Sequence, residues 1–133
     1  MATKEERIAR ATRVAEAALD RKAQDVVALD VSQLTSYADT FVIATATSDR
    51  HARAVADSIR EAEAVIGAKP LGVEGYDEAR WVLIDLGDVI VHVFLAEVRE
   101  AYDLERLWSD AQSIPLSERP SPSEPVVIAR ERG

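Results

Sequence analysis

The chain has 133 residues, a formal net charge of −8 and no cysteine. That length fits one domain with a real hydrophobic core, and the lack of cysteine excludes disulfides, a thiol nucleophile and zinc sites built on Cys. No segment has the apolar length of a membrane span or the pattern of a secretory signal, so we expect a cytoplasmic protein.

The negative charge is concentrated in the middle of the chain. Residues 23–111 hold 7 basic and 17 acidic groups, whereas residues 1–22 carry a net charge of +2 and residues 112–133 are neutral overall. An acidic body disfavours binding to nucleic acid, which relies on Lys and Arg displacing counterions. It favours a basic protein partner, although acidic surfaces also serve simply to keep proteins soluble.

The first half of the chain predicts one helix followed by two strands. Residues 3–20 place Ile8, Ala11, Ala18 and other small apolar residues at helical spacing. Asp25–Val31 is rich in Val and predicts a strand. Thr40–Ala46 predicts a second strand that is almost continuously apolar, as expected of a central, buried position.

A second helix is predicted immediately after that strand. Thr47 or Ser48 supplies the N-cap, and Gly67 with Pro70 ends the helix. Its apolar residues recur at intervals of four, three and four, so they share one face. These residues are Val55, Ile59, Ala62 and Ile66.

Trp81–Phe94 predicts a β-hairpin, preceded by a possible short strand at Leu71–Glu74. Gly87 and Asp88 form a two-residue turn of the type that needs Gly at positive φ, and period-two alternation then sets the register. One face is wholly aliphatic: Val82, Ile84, Leu86, Val89, Val91 and Val93. The other face mixes aromatic, charged and imidazole groups: Trp81, Leu83, Asp85, Ile90, His92 and Phe94.

The end of the chain predicts a short helix at Glu97–Leu107 and then a Pro-rich tail. We therefore expect one α/β domain at residues 1–113 and a flexible tail at 114–133. The sheet is predicted to be mixed, with four to five strands. Two substantial helices cover mainly one face of such a sheet, so the other face is expected to lie partly open.

Catalytic patterns are weak in this sequence. Asp85 and Asp88 are three residues apart, not in the Asp-x-Asp arrangement that holds Mg²⁺ on a strand, and we expect them to shape a turn or face solvent. Glu61 and Glu63 point to different sides of their helix. No glycine precedes the second helix, so a phosphate loop is missing. We predict no catalytic residue, no metal site and no cofactor.

The two histidines fit structural or contact roles better than catalysis. His51 is expected to be a surface group in the first turn of the second helix. His92 lies mid-strand beside Leu83, with Asp85 as the only plausible second ligand for a metal. We interpret His92 as an amphipathic contact residue that can form hydrogen bonds.

The mixed face of the hairpin predicts a protein-docking surface. Trp and Tyr dominate binding hot spots, although aromatic residues more often belong to a core. We predict contacts centred on the hairpin, with further residues at the edge of the contact. The central residues are Trp81, Leu83, Asp85, His92 and Phe94, and the edge residues are Tyr102, Glu105 and Trp108. Asp85 and Glu105 are expected to pair with basic groups of the partner.

Three segments together resemble a known family. EGYDEARWVLIDLGDVIVHVF followed by REAYDLERLWSDA, and ADTFVIATATSDRHARAVAD before them, are similar to the ribosomal silencing factor family (RsfS, also called Iojap-like). The resemblance covers residues 5–111. The chain departs from the family pattern at Thr40 and Ala101, where an aromatic residue is frequent, and at Ala46, where Gly is frequent.

The resemblance implies a fold similar to nucleotidyltransferases without their catalytic carboxylates. It also implies a factor that binds ribosomal protein L14 on the large ribosomal subunit, blocks joining of the small subunit and lowers translation when nutrients are scarce. A homodimer is expected from the same resemblance. The alternative is a nucleotide-binding enzyme of the nucleotidyltransferase type.

Overall fold

A computed structural model describes residues 3–116 of the chain. Within these residues the chain forms four helices and six strands. In chain order they are α1 (Lys4–Asp20), β1 (Gln24–Asp30), β2 (Thr40–Ala46), α2 (Asp49–Val65), β3 (Gly72–Glu74), β4 (Trp81–Asp85), β5 (Val89–Leu95), α3 (Ala96–Tyr102), α4 (Leu104–Leu107) and β6 (Gln112–Ser113). No helix in this part of the chain is both long and apolar enough to cross a membrane.

The strands form one mixed sheet in the order β3-β4-β5-β2-β1-β6. β2 and β5 pair in parallel at the centre, and every other pair is antiparallel. The α/β class and the mixed sheet are confirmed, with one strand more than predicted. The additional strand, β6, is two residues long, too short to give a period-two pattern, and Ile114 N–H extends its pairing by donating to the carbonyl of Ala28 at 2.8 Å.

The two long helices begin at well-defined caps. Thr3 and Glu6 form a reciprocal capping box at the start of α1. Ser48 caps α2 by accepting a hydrogen bond from the His51 backbone N–H, which selects Ser48 over Thr47. Both helices pack on one face of the sheet, where their buried side chains join those of the strands in one apolar cluster. Most of the core therefore lies between the helices and this face.

The hairpin has the predicted register. Trp81 pairs with Phe94 and Ile84 with Val91, and Leu86 N–H donates to the carbonyl of Val89 at 2.9 Å across the turn. Gly87 has φ +94°, a conformation that strongly favours glycine. The aliphatic side chains of β4 and β5 face the helices, as predicted.

The predicted single helix at Glu97–Leu107 is broken into α3 and α4. Asp103, between them, has φ 51° and ψ 53°, so the backbone turns left-handed for one residue and starts a new helical turn. The apolar spacing runs through Asp103 without interruption, which explains why the sequence suggested one helix. The break places Val98, Leu104 and Trp108 on the second face of the sheet. That face is only partly covered.

The predicted tail lies mostly outside the described residues, which end at 116. Ile114 still belongs to the core, with 8% of its surface exposed, and Leu116 packs against the same cluster. The division of the chain at residue 113 stays a prediction.

Candidate partner-binding face

The mixed face of the hairpin lies on the side of the sheet away from α1 and α2. We call it the aromatic face and define it as Trp81, Leu83, Asp85, Ile90, His92 and Phe94. Its side chains lie at different depths. Trp81, Leu83 and Asp85 of β4 are half-buried, whereas Ile90, His92 and Phe94 of the more central β5 are buried. β4 therefore supplies the accessible part of the face.

His92 supports Trp81 from the neighbouring strand. Trp81 Nε1–H donates a hydrogen bond to His92 Nδ1 at 3.1 Å. Burial lowers the pKa of His92 to about 4, so the ring is neutral at pH 7. Because Nδ1 accepts this bond, the ring proton lies on Nε2, a buried atom without a hydrogen-bond partner among the described residues. The imidazole orients the indole and is itself 6% exposed.

Phe94 forms the base under the indole. Its ring lies 4.8 Å from that of Trp81 between centroids, and the side chain has no exposed surface. Its predicted partner contact stays a prediction. In the free chain, however, the Phe94 side chain is fully buried, and the Trp81 ring lies against it.

Tyr102 extends the aromatic face onto α3. Its ring centroid lies 4.7 Å from that of Trp81, with the planes inclined by 54°, and 60% of its surface is exposed. The structure thus brings together Trp81 and Tyr102, two predicted contact residues that are 21 positions apart. An exposed ring resting on a half-buried one is a suitable anchor for a protein partner.

Trp108 lies at a separate edge of the same side of the sheet. It contacts Phe41 of β2 in an edge-to-face arrangement at 5.1 Å, and Phe41 contacts His92 in the same manner at 5.3 Å. Phe41 was not predicted as part of the site. The alternation of Phe41 with Ile43 could be read from the sequence, but the parallel pairing of Phe41 with Ile90, which places it beside the hairpin, depends on the strand order. Tyr37, with its ring 6.2 Å from Phe41, was also missed because it lies in a loop.

Arg99 holds α3, α4 and the sheet together, and Glu105 is its main partner. The guanidinium donates to both oxygens of Glu105, at 3.2 and 2.7 Å, to the Thr45 hydroxyl at 2.7 Å and to the carbonyl of Asp25 at 2.7 Å. The hydrogen bonds from Arg99 lower the pKa of Glu105. Glu105 therefore already has an internal basic partner, and its predicted pairing with a partner protein stays a prediction.

The two aspartates near the hairpin turn have structural contacts. Asp85 Oδ1 accepts the Gly87 N–H at 2.9 Å and so shapes the turn, as expected. Asp88 forms an ion pair with Arg10 of α1 at 3.1 Å. Within residues 3–116 no group of three or more His, Cys, Asp or Glu side chains is arranged to hold a metal ion.

His51 has a structural role that the sequence did not indicate. Its Nδ1 accepts the Thr47 N–H at 2.9 Å, and its Nε2 lies 2.7 Å from the carbonyl oxygen of Arg21. A proton on Nε2 satisfies the contact with the Arg21 carbonyl while Nδ1 accepts from Thr47. His51 is half-buried and joins the end of α1 to the start of α2, so it is more than the surface group expected.

A protein-family model described as ribosomal silencing factor during starvation (RsfS) matches residues 4–131. Curated relatives carry the name ribosomal silencing factor RsfS, and two of them illustrate the match. The protein from Bacillus subtilis is 46% identical over 92 residues, covering 69% of this chain and 78% of the relative. The protein from Halalkalibacterium halodurans is 43% identical over 97 residues, covering 73% of this chain and 83% of the relative.

The fold also matches a solved structure. A crystal structure of a protein from Chromobacterium violaceum superposes with a TM-score of 0.73 at 36% sequence identity. The superposition covers 90% of this chain and 92% of that chain. The likeness extends over nearly the whole of both molecules.

Proposed function

The chain belongs to the ribosomal silencing factor family, and from this we propose that it binds the large ribosomal subunit and blocks joining of the small subunit. We propose ribosomal protein L14 as the docking partner and lower translation under nutrient limitation as the outcome. The mechanism is steric: the factor occupies surface that the small subunit needs. It acts in the cytoplasm, where subunits join.

The observation that carries this proposal is the accessible part of the aromatic face. Trp81 is fixed from below by Phe94 and from the side by His92, and Tyr102 rests on it with most of its surface exposed. A rigid aromatic anchor binds a protein surface with little loss of side-chain entropy. The Trp81–Tyr102 pair is therefore suited to bind a partner without a large rearrangement of its side chains.

The charge distribution supports a basic protein as the partner. Residues 23–111 contain ten more acidic than basic groups, and they include every strand from β1 to β5. Long-range attraction then favours encounter with a basic ribosomal protein, and repulsion disfavours docking on ribosomal RNA. We therefore propose little or no direct contact with nucleic acid.

We further propose that the chain is not an enzyme and needs no cofactor. The carboxylates closest to the strand ends support this, because Asp85 accepts a hydrogen bond from Gly87 in the turn and Asp88 forms an ion pair with Arg10. The alternative is a nucleotide-binding enzyme of the nucleotidyltransferase type. Calorimetry with ATP, CTP and Mg²⁺ separates the two, since clear nucleotide binding would contradict a purely steric factor.

We expect a homodimer as well. The accessible part of the aromatic face on β4, together with the exposed ring of Tyr102, is a surface that a second copy of the chain can use, in competition with the ribosome. If so, the dimer and the ribosome compete for free monomer, and in sedimentation experiments the subunit-bound form rises less than in proportion to the total concentration of the factor.

Replacement of Trp81 tests the docking face. Trp81→Ala removes the anchor on which Tyr102 rests, and we expect binding to large subunits to weaken by about 2 kcal/mol or more. Co-sedimentation of the factor with purified large subunits measures the affinity, and circular dichroism checks the fold.

The matched control is Leu71→Ala, which removes an exposed apolar side chain outside the aromatic face. We expect this variant to bind like the wild type. If Trp81→Ala also sediments with large subunits like the wild type, the assignment of the docking face is wrong.

A further inference from the structure

A cleft of about 270 Å³ lies beside the aromatic face, between the loop before β4 and helix α3. The loop approaches the strand so closely that a Cβ on Gly75 would lie 2.1 Å from the carbonyl oxygen of Trp81. Gly75 also has φ +78°. A glycine at this position therefore allows the loop to form one wall of the cleft, and α3 forms the other.

The two largest apolar side chains that line the cleft are aromatic. Trp81 and Tyr102 both line it, with their ring centroids 4.7 Å apart and their planes tilted by 54°. Both rings therefore contribute aromatic surface to one small volume. Such a surface favours an aliphatic chain or a cation.

The polar lining of the cleft is mainly acidic. Glu78 from the loop and Glu97 from α3 line it, and both are exposed. Among residues 3–116 neither carboxylate lies within 4.0 Å of a basic side chain. Arg80 is the single basic residue of the lining. The cleft therefore carries an excess negative charge that its own side chains leave unpaired.

We propose that this cleft receives the side chain of one lysine or arginine from the protein partner. The methylene stem of such a residue packs on the rings, while its charged end reaches the carboxylates. The inference rests on the proposed function, because it specifies how a basic partner is held at the aromatic face. It adds a defined subsite and the chemical class of its occupant.

Other occupants fit this lining less well. A purely apolar side chain would remove water from Glu78 and Glu97 without replacing their hydrogen bonds, which costs free energy. A phosphate or a carboxylate would be repelled by the same two residues. A basic side chain alone satisfies both parts of the lining.

Replacing the acidic residues of the lining and replacing its basic residue should change the affinity for large subunits in opposite directions. Glu78→Gln and Glu97→Gln should each weaken binding to large subunits about threefold, and the double variant about tenfold with a smaller dependence on salt. Arg80→Gln should strengthen binding, because it removes a competing cation. Glu100→Gln is the control, since Glu100 lies on α3, is exposed and does not line the cleft.

The outcomes distinguish this inference from the proposed function. If the wild type binds large subunits, Trp81→Ala weakens that binding and the double glutamine variant binds like the wild type, the subsite is refuted and the docking face stands. If the wild type does not bind large subunits, the proposed function fails, and a direct probe of the cleft still decides the inference.

Small amides provide that probe. N-acetyl-lysine amide should shift the NMR signals of the Trp81 indole N–H and the Ala101 amide in the wild type, and shift them less in the Glu78→Gln/Glu97→Gln variant. N-acetyl-norleucine amide has the same stem length without the charge and serves as the comparison. Equal shifts with both compounds, or no shift with either, would overturn the inference.

Discussion

His92 is buried beside the accessible part of the aromatic face and contacts Trp81 directly. Its ring accepts the indole N–H and stacks nearly parallel to Phe94, with an interplanar angle of 8°. A charged imidazolium cannot accept that hydrogen bond at Nδ1, and burial disfavours the charge. The orientation of Trp81 therefore depends on a neutral His92.

The pKa of His92 predicts a pH dependence of stability. The folded pKa of about 4 lies below the ordinary value of 6.5, so the unfolded chain binds the proton more tightly. The stabilisation from this group is fully present above pH 6.5 and is lost as the pH falls towards 4, by up to about 1.4 kcal/mol per pH unit.

Urea unfolding at pH 7.5 and pH 5.5 measures this effect. The free energy of unfolding should fall between these pH values by about 1 kcal/mol more for the wild type than for His92→Gln, which cannot titrate in this range. If the free energy of unfolding falls by the same amount in both proteins, the fold does not hold His92 neutral.

At the scale of elements, a buried charge fixes α2 against α1. Glu63 of α2 has no exposed surface, and its oxygens lie 2.9 Å from Arg10 and 3.7 Å from Arg13 of α1. Neither Glu63 oxygen has a hydrogen-bond partner among the described residues, so the contact is an ion pair held by charge attraction. Arg10 also reaches Asp88 in the hairpin turn, which links both helices to the edge of the aromatic hairpin.

Replacing Glu63 should therefore destabilise the whole fold. Glu63→Gln leaves the Arg10 and Arg13 charges without their buried counterion, and we expect a loss of about 3 kcal/mol in the free energy of unfolding. Glu61→Gln changes an exposed residue on the same helix and should stay within about 0.5 kcal/mol of the wild type. Equal urea midpoints for the two variants would refute the role of the ion pair.

Some features of the helices and strands could be predicted from the sequence, and others could not. The hairpin register followed from Gly87 and the alternation of side chains, because both are local signals. The break at Asp103 and the burial of Glu63 were not accessible, since both depend on tertiary contacts. A glutamate on a helix is normally solvated, and only the arginines of α1 make its burial possible.

For the candidate site, the sequence identified several contact residues but not how they contact one another. Trp81 and Tyr102 were both selected as contact residues, but their direct contact requires the path of α3 over β4. Phe41 and the Arg99–Glu105 pair depend on strand order and on the α3–α4 break. No pattern within one element specifies those contacts.

At the scale of the whole molecule, the two faces of the sheet have different roles. The face under α1 and α2 holds most of the apolar core, whereas the opposite face is only partly covered by α3 and α4. The second face therefore carries aromatic side chains and an acidic cleft at its surface, where we propose that a partner docks. Exposed residues at this surface, such as Tyr102, can therefore be replaced with limited cost to the core.

Light scattering of subunit association tests the central proposal most directly. Purified small and large subunits are mixed with increasing amounts of the factor, and the rise in scattering reports their joining. We expect the wild type to suppress the rise, and Trp81→Ala to require about thirtyfold more protein for the same suppression. Undiminished joining with the wild type, or equal suppression by Trp81→Ala, would contradict a steric factor that docks through its aromatic face.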